Sequence, residues 1–228
     1  MKSICIIPAR GGSKRIPRKN IKEFMGKPII SYSIENAIKS ELFDEIMVST
    51  DDTEIAATAK DFGAEVPFIR SAKNANDVAT TVDVIQEVIA QYADNYMHFD
   101  TVCCLYPCAP LIGSELLSTA FSRLQNSDFH SIIPIIKNLA PIQRCIVARD
   151  DKIEFLFPEY KNSRSQDLEA TYRDAGQFYF FRPAPVLKYG KIMTNHTGYI
   201  ILNENESQDI DNEEDWQLAE MKFKLKNC

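Results

Sequence analysis

The chain of 228 residues contains neither G-x-G-x-x-G nor G-x-x-x-x-G-K-[ST]. Those absences argue against a dinucleotide fold and against a phosphate loop that opens directly into a helix. There is no paired C-x-x-C spacing, and no histidine cluster stands beside the six cysteines, Cys5, Cys103, Cys104, Cys108, Cys145 and Cys228. A zinc site is therefore not expected. Cys5, Cys103 and Cys104 sit inside apolar runs, where cysteine behaves as a small buried hydrophobe. No apolar run is long enough to span a bilayer, and the N-terminus runs straight into a short strand with no signal peptide pattern. A reduced, cytoplasmic protein without membrane contact is the expectation. The formal charge of −6 and the lack of an RRM or KH pattern argue against a nucleic acid partner. Internal repeats and low-complexity linkers are also missing.

What is present is ordinary globular composition, 45% hydrophobic and 25% charged. The length suits one domain, or one domain with a sizeable insertion, with a core that needs neither disulfide nor structural metal. Ser3 to Ile7 reads as a buried strand, followed by a loop to Pro28. A helix carrying Ile30, Ile34, Ala37 and Ile38 comes next, and then a strand over Glu45 to Ser49. Asp52 or Thr53 caps a helix ending at Gly63, and Glu65 to Phe68 reads as a short strand. Further on come a helix from Thr81 to Tyr92, a strand from Thr101 to Tyr106, a helix capped by Ser114, and a strand from His130 to Ile136. This alternation predicts an α/β fold, a parallel sheet covered on both faces. From Asn138 to Arg173 the helical period disappears. Core strands return at Gln177 to Phe181 and Tyr199 to Leu202, and Asn212 starts a last helix. Residues 1–228 thus form one domain, with 137–176 as an insertion.

Charge is unevenly spread. Between Arg10 and Lys27 stand Arg10, Lys14, Arg15, Arg18, Lys19, Lys22 and Lys27 against the single acid Glu23. A solvated loop is the plain reading of such a run; a local anion site is the sharper one. The loop begins at the carboxyl end of the first strand, the ligand edge of open α/β sheets. Gly11 and Gly12 let the backbone approach a ligand, and successive N–H groups can form an anion nest. Pro17 prevents an immediate helix, so phosphates must be held by side chains such as Arg10, Lys14, Arg15, Arg18 and Lys19. Far along the chain, Asp209 and Asp211 flank Ile210. In an extended segment they share a face, and two adjacent carboxylates call for a cation. Mg²⁺ suits such a pair completed by phosphate oxygens. Capping of the last helix by Asp211 or Asn212 is the competing reading.

The segment IIPARGGSKRIPRKNIKEFMGKP resembles the N-terminal motif of the acylneuraminate cytidylyltransferases, which make CMP-sialic acids. The match runs from Ile7 to Asn20, resumes at Gly26-Lys27-Pro28, and extends to VSTDD (Val48–Asp52), GAEVPF (Gly63–Phe68) and DID (Asp209–Asp211). The resemblance implies a Rossmann-like three-layer nucleotidyltransferase fold, similar to glycosyltransferase A, with a mainly parallel sheet. It implies that Arg10, Gly11, Gly12, Ser13, Lys14, Lys19 and Asn20 hold the CTP phosphates, that Thr80 or Thr81 approaches the nucleotide, and that Asp209 and Asp211 bind Mg²⁺. Arg10, Lys14 and Asp211 are the catalytic candidates. The proton of the attacking hydroxyl goes to Asp211 or to a hydroxide on the metal, a choice no side chain compels. Tyr106-Pro107-Cys108 replaces the family's Gln-Pro, so the cytosine contacts stay unassigned.

Asn162 to Tyr179 resembles the pseudaminic acid branch of this family, in which RSQDL and DAGQFY recur. Arg173 is a departure, matching the sialic acid branch where pseudaminic enzymes often carry His. An acidic nine-carbon keto sugar needs a carboxylate grip, for which Arg164 and Arg173 are candidates, with Gln166 and Gln177 for hydroxyl or acetamido groups. Ion pairs with Asp167, Glu169 or Asp174 are the alternative for both arginines. The resemblance also implies a homodimer in which the insertion covers the partner's site, and Phe155, Phe157, Tyr160 and Tyr172 fit either that interface or an internal core. The expected reaction is CMP transfer from CTP to pseudaminic acid. The alternatives are N-acetylneuraminic or legionaminic acid as acceptor, or a non-catalytic CTP-binding protein.

Overall fold

The computed structural model describes residues 1–226, so Cys228 lies outside the described residues. The first strand, β1 (Ser3–Pro8), is buried along its whole length except at its last residue. Its pleat sends Cys5 and Ile7 into one core cluster and Ile4 and Ile6 into another. Each fully buried isoleucine contributes about 2 kcal/mol of transfer free energy. After the basic loop comes a short ladder, β2 (Glu23–Phe24) with β3 (Lys27–Pro28), turned by Met25 (φ 49°) and Gly26 (φ 94°). Then follow α1 (Ile29–Lys39), β4 (Glu45–Ser49) and α2 (Thr53–Asp61). The strand expected at Glu65 to Phe68 shrinks to a single bridge between Glu65 and Met47. Pro67 has no N–H to continue a ladder.

Helix α3 (Thr81–Asp94) starts at a capping box made by Thr80 and Asp83. Beyond β5 (Thr101–Leu105) lies α4 (Ser114–Gln125), whose N-cap position belongs to Gly113 and not to the expected Ser114. Strand β6 (Ser131–Lys137) leads into a hairpin, β7 (Ile146–Arg149) with β8 (Lys152–Phe155). The chain returns through β9 (Tyr172–Asp174) and β10 (Phe178–Phe181). A short helix that the sequence reading missed, α5 (Pro183–Tyr189), precedes β11 (Thr197–Leu202) and α6 (Glu213–Lys226).

Among the described residues seven strands form one sheet in the order β11-β6-β10-β5-β1-β4, with β9 on β6. Strands β1, β4, β5, β6 and β11 run one way; β9 and β10 run against them. The mainly parallel sheet is thus present, with an antiparallel strand at its centre. Helices α1, α2 and α4 cover one face, while α3 and α5 cover the other. A third cluster packs Ile16, Phe24, Ile29 and Tyr32 against Ile210, Trp216 and Ala219, fixing the basic loop against the segment before α6. Cys5, Cys103 and Cys104 are buried as expected, Cys108 is half-buried and Cys145 exposed; all five are free thiols. Among the described residues no helix is long and apolar enough to cross a membrane.

Candidate active site

The basic loop is held in place by acids of the VSTDD segment. Asp51 accepts from the Gly11 N–H at 2.9 Å. Asp52 caps α2 through the Glu54 and Ile55 amides, at 3.0 Å each, and pairs with Arg18. Arg18 also pairs with Glu54 and adopts a left-handed backbone (φ 56°). The hydrogen bond from Arg18, helped by the two cap amides, pulls the Asp52 carboxyl down to about 2. A Cβ on Gly11 would lie 2.7 Å from Asp52 Oδ2, so glycine is needed here by close approach. Buried Asn20 donates to the Arg10 carbonyl at 2.9 Å, and Lys19 Nζ donates to the Ile210 carbonyl at 2.6 Å. The loop is thereby tied to β4, to α2 and to the carboxylate segment.

A cleft of about 370 Å³ opens where β1 and β5 end and β10 begins. Arg10, Ser13, Lys14, Arg15, Lys19 and Asn20 line one side. Tyr106, Pro107, Cys108, Gln177 and Tyr179 line the other, with Asp209 at the junction. Of the nucleotide candidates, Arg10, Ser13, Lys14, Lys19 and Asn20 are therefore brought together. Gly11 and Gly12 do not line the cleft. Thr80 is occupied by the helix cap, and the Thr81 hydroxyl sits behind the wall, 2.9 Å from the Tyr106 hydroxyl. Burial pushes the Tyr106 phenol up to about 12 and the Cys108 thiol likewise to about 12. Both are therefore neutral groups at physiological pH. Gln177 is 2% exposed; its amide donates to the Ala175, Gly176 and Gln208 carbonyls, while its Oε1 has no partner among the described residues.

A second cleft, of about 510 Å³, adjoins the first through Arg15, Gly176 and Asp209. Here acids dominate: Asp174, Glu204, Asp209, Asp211 and Asp215 against Arg15 and Arg173. Burial, then the nearby Asp211 charge, raises the Asp209 carboxyl above its ordinary value. Asp211 pairs with Arg15 at 2.6 Å. Capping of α6 falls to its neighbours instead. Asn212 Oδ1 accepts from Asp215 N–H at 3.0 Å, and Asp215 accepts from the Asp211 and Asn212 amides at 2.9 and 3.1 Å. The Asp211 carboxylate is thus left facing the cleft.

The expected sugar contacts divide. Gln177 lines the first cleft and Arg173 the second, where Arg173 donates to Glu204 at 3.2 Å. Arg164 and Gln166 line neither. They lie exposed beyond the hairpin, and Arg164 pairs with Asp167 at 2.7 Å, the alternative weighed for it above. Phe155 and Phe157 are half-buried, and Tyr160 and Tyr172 are exposed. Arg15, expected among the phosphate-holding cations, lines both clefts, whereas sequence reasoning missed Cys108 and Tyr179 as lining residues, and Asp51 and Asp52 as loop anchors. The sequence offers Asp52 as a helix cap and VSTDD as part of a resemblance; the signal for anchoring was two acids just after a strand, facing a basic loop.

A profile of the family described as Cytidylyltransferase matches residues 4–214. Pseudaminic acid cytidylyltransferase of Campylobacter jejuni is 41% identical, over 99% of this chain and 97% of that protein. CMP-N,N'-diacetyllegionaminic acid synthase of Legionella pneumophila is 31% identical, again over 99% and 97%. The solved structure of CMP:2-keto-3-deoxy-manno-octonic acid synthetase complexed with CTP superposes with a TM-score of 0.73 at 17% identity, covering 99% of this chain and 100% of that one. The last likeness concerns the fold alone.

Proposed function

The chain belongs to the cytidylyltransferase family, and from that premise we propose that it transfers CMP from CTP to the anomeric hydroxyl of pseudaminic acid, releasing pyrophosphate. The observation that carries this reading is the cleft itself, in which Arg10, Lys14, Arg15 and Lys19 converge opposite Asp209 at the carboxyl ends of β1 and β5. Four cations in one cleft match a triphosphate whose pyrophosphate must leave with its charge neutralised. Arg10 and Lys14 supply charge-assisted donors to the phosphates, while Ser13 and Asn20 add neutral ones. Tyr106 and Tyr179 give the opposite wall two neutral phenols. The acidic cleft next door is the place for the acceptor: Arg173 offers its guanidinium to a sugar carboxylate, and the free Gln177 Oε1 awaits a donor.

Asp209 and Asp211 are the residues that would hold Mg²⁺. Among the described residues no group of three or more His, Cys, Asp or Glu could hold a metal. Two carboxylates with phosphate oxygens completing the shell form a donor set that a hard cation accepts. The raised Asp209 carboxyl supports this fit, because a cation relieves the strain that burial and Asp211 impose. Bound there, Mg²⁺ would neutralise charge on the reacting phosphates.

The choice of pseudaminic acid rests on 41% identity to the Campylobacter enzyme against 31% to the legionaminic acid enzyme. The protein acts in the cytoplasm, where CTP is made, as a homodimer. Support for the dimer comes from the hairpin region 137–176, which leaves Leu139, Ile146, Ile153 and Leu156 more than half exposed. Pyrophosphate release should be measured with CTP, Mg²⁺ and one sugar acid at a time. Turnover with pseudaminic acid alone is the expected result. Turnover with only a legionaminic or N-acetylneuraminic acid moves the substrate, and CTP binding without turnover on any of the three sinks the catalytic reading.

A further inference from the structure

Two of the cations assigned to the triphosphate already have a partner. Asp77, in the loop between α2 and α3, accepts from Arg10 at 2.6 Å and is ion-paired with Lys14. Arg10 also donates to the neighbouring Asn76 carbonyl at 3.1 Å. Asp77 is solvent-exposed, and the hydrogen bonds from Lys14 and Arg10 hold its carboxyl below the ordinary range.

The loop has its own supports on either side of Asp77. Asn74 is buried and donates to Glu87 at 2.6 Å. Asn76 Oδ1 accepts from the Val78 and Ala79 amides at 2.8 and 2.9 Å. Thr80 closes the capping box of α3. The loop therefore does not depend on Asp77 for its shape. Among the described residues, the Asp77 carboxylate accepts from the two cations and from no other group.

We propose that Asp77 is a specificity-determining residue of the phosphate site, an internal counter-anion that occupies Arg10 and Lys14 until a polyphosphate displaces it. This rests on the nucleotide assignment above and adds a selection rule to it. One carboxylate competes with every ligand that needs both cations. A triphosphate or pyrophosphate, carrying several negative charges, displaces it; a single anionic group displaces it poorly. After transfer, Asp77 returns to the same cations and assists the departure of pyrophosphate.

The test compares Asp77→Asn with the unaltered protein by calorimetric titration with CTP, inorganic pyrophosphate and cytidine, at two salt concentrations. Two exposed ion pairs set the scale of the change. Pyrophosphate and CTP are expected to bind about threefold to tenfold more tightly to Asp77→Asn, and cytidine equally to both. The gain should shrink at high salt, with the melting temperature unchanged. Weaker pyrophosphate binding by Asp77→Asn would overturn the proposal and make Asp77 a brace that orients the cations. Equal binding by both proteins would overturn it as well. Failure of CTP and pyrophosphate to bind the unaltered protein would sink the nucleotide assignment itself, a distinct result. Amide exchange gives a second readout: residues 76–79 should exchange faster with CTP bound, and slower exchange counts against displacement.

Discussion

The basic loop and the hairpin region are both irregular, both polar and both assigned substrate contacts, yet they are built in opposite ways. The loop from Ala9 to Lys22 is fastened from several directions: Asp51 to Gly11, Asp52 to Arg18, Asn20 to Arg10, Lys19 to Ile210, and Ile16 in a buried cluster. Its cations are pre-positioned, and little ordering entropy remains to be lost on binding. The hairpin β7–β8 has its own two-strand ladder and exposed apolar side chains, and beyond it Arg164 pairs with Asp167 three residues on. A two-stranded ribbon is marginal alone, so this region calls for a partner surface. The lesson is that the loop's cations are held by contacts within this chain, whereas the hairpin leaves apolar side chains exposed.

The sharpest way to break that contrast is at the carboxylates. Asp209→Ala should lower pyrophosphate release about 10²-fold or more, the scale of a lost electrostatic stabiliser. Its melting temperature should stay unchanged or rise, because a carboxyl raised by partial desolvation and then by the Asp211 charge is removed. Retained turnover would remove Asp209 from the site, and a large fall in melting temperature would make its role structural.

Next come the loop fastenings. Gly11→Ala places a Cβ against Asp52 and should cost about 1–3 kcal/mol in denaturant unfolding, along with CTP affinity. At Gly12 a Cβ meets nothing within 4 Å. Gly12→Ala should therefore keep the stability, and, as Gly12 does not line the cleft, most of the CTP affinity too. Equal stability losses for the two would erase the distinction between a fastened and an open glycine.

Asp52→Asn tests the same fastening through pH. The carboxyl is held at about 2, down from 3.8, and its side chain is 20% exposed. Its contribution of about 2 kcal/mol is present above pH 3.8 and is lost as the pH falls through about 2. Unfolding free energies of the two proteins should therefore differ at pH 7 and converge between about pH 4 and pH 2. A difference constant down to pH 2 would assign the loss to packing.

The smallest effect belongs to the hairpin region. Arg164→Ala removes an exposed pair and should change stability by less than about 0.5 kcal/mol, with CTP affinity intact. An increase in KM for the sugar acid is expected, since a second subunit would carry Arg164 to a site. An unchanged KM separates this region from the acceptor.

Much of the scaffold was legible in the chain. Strand β4 falls where its apolar run predicts, and α2 begins at Asp52, because capping and side-chain period are local properties. The strand at Glu65 to Phe68 failed at Pro67, and α5 escaped notice because two prolines in seven residues mask a short helix. The gathering of Arg10, Ser13, Lys14, Lys19 and Asn20 in one cleft was legible for the same local reason: they are close in sequence, and one loop delivers them together.

What the sequence determined by itself was the order of elements, the concentration of positive charge in the loop and the pair of acids before the last helix. Each is written in neighbouring residues whose spacing and charge act over a few ångströms. Tertiary structure alone decided which distant groups meet. Asp209 joins Arg10, Lys14 and Lys19 in lining the first cleft, Arg15 reaches Asp211, and Asp77 takes Arg10 and Lys14. Those partners are separated by up to almost the whole chain. Coulomb interaction and hydrogen bonding select a partner by distance in space, and that distance exists only once the sheet has formed and brought the ends of β1, β5, β10 and β11 to one edge.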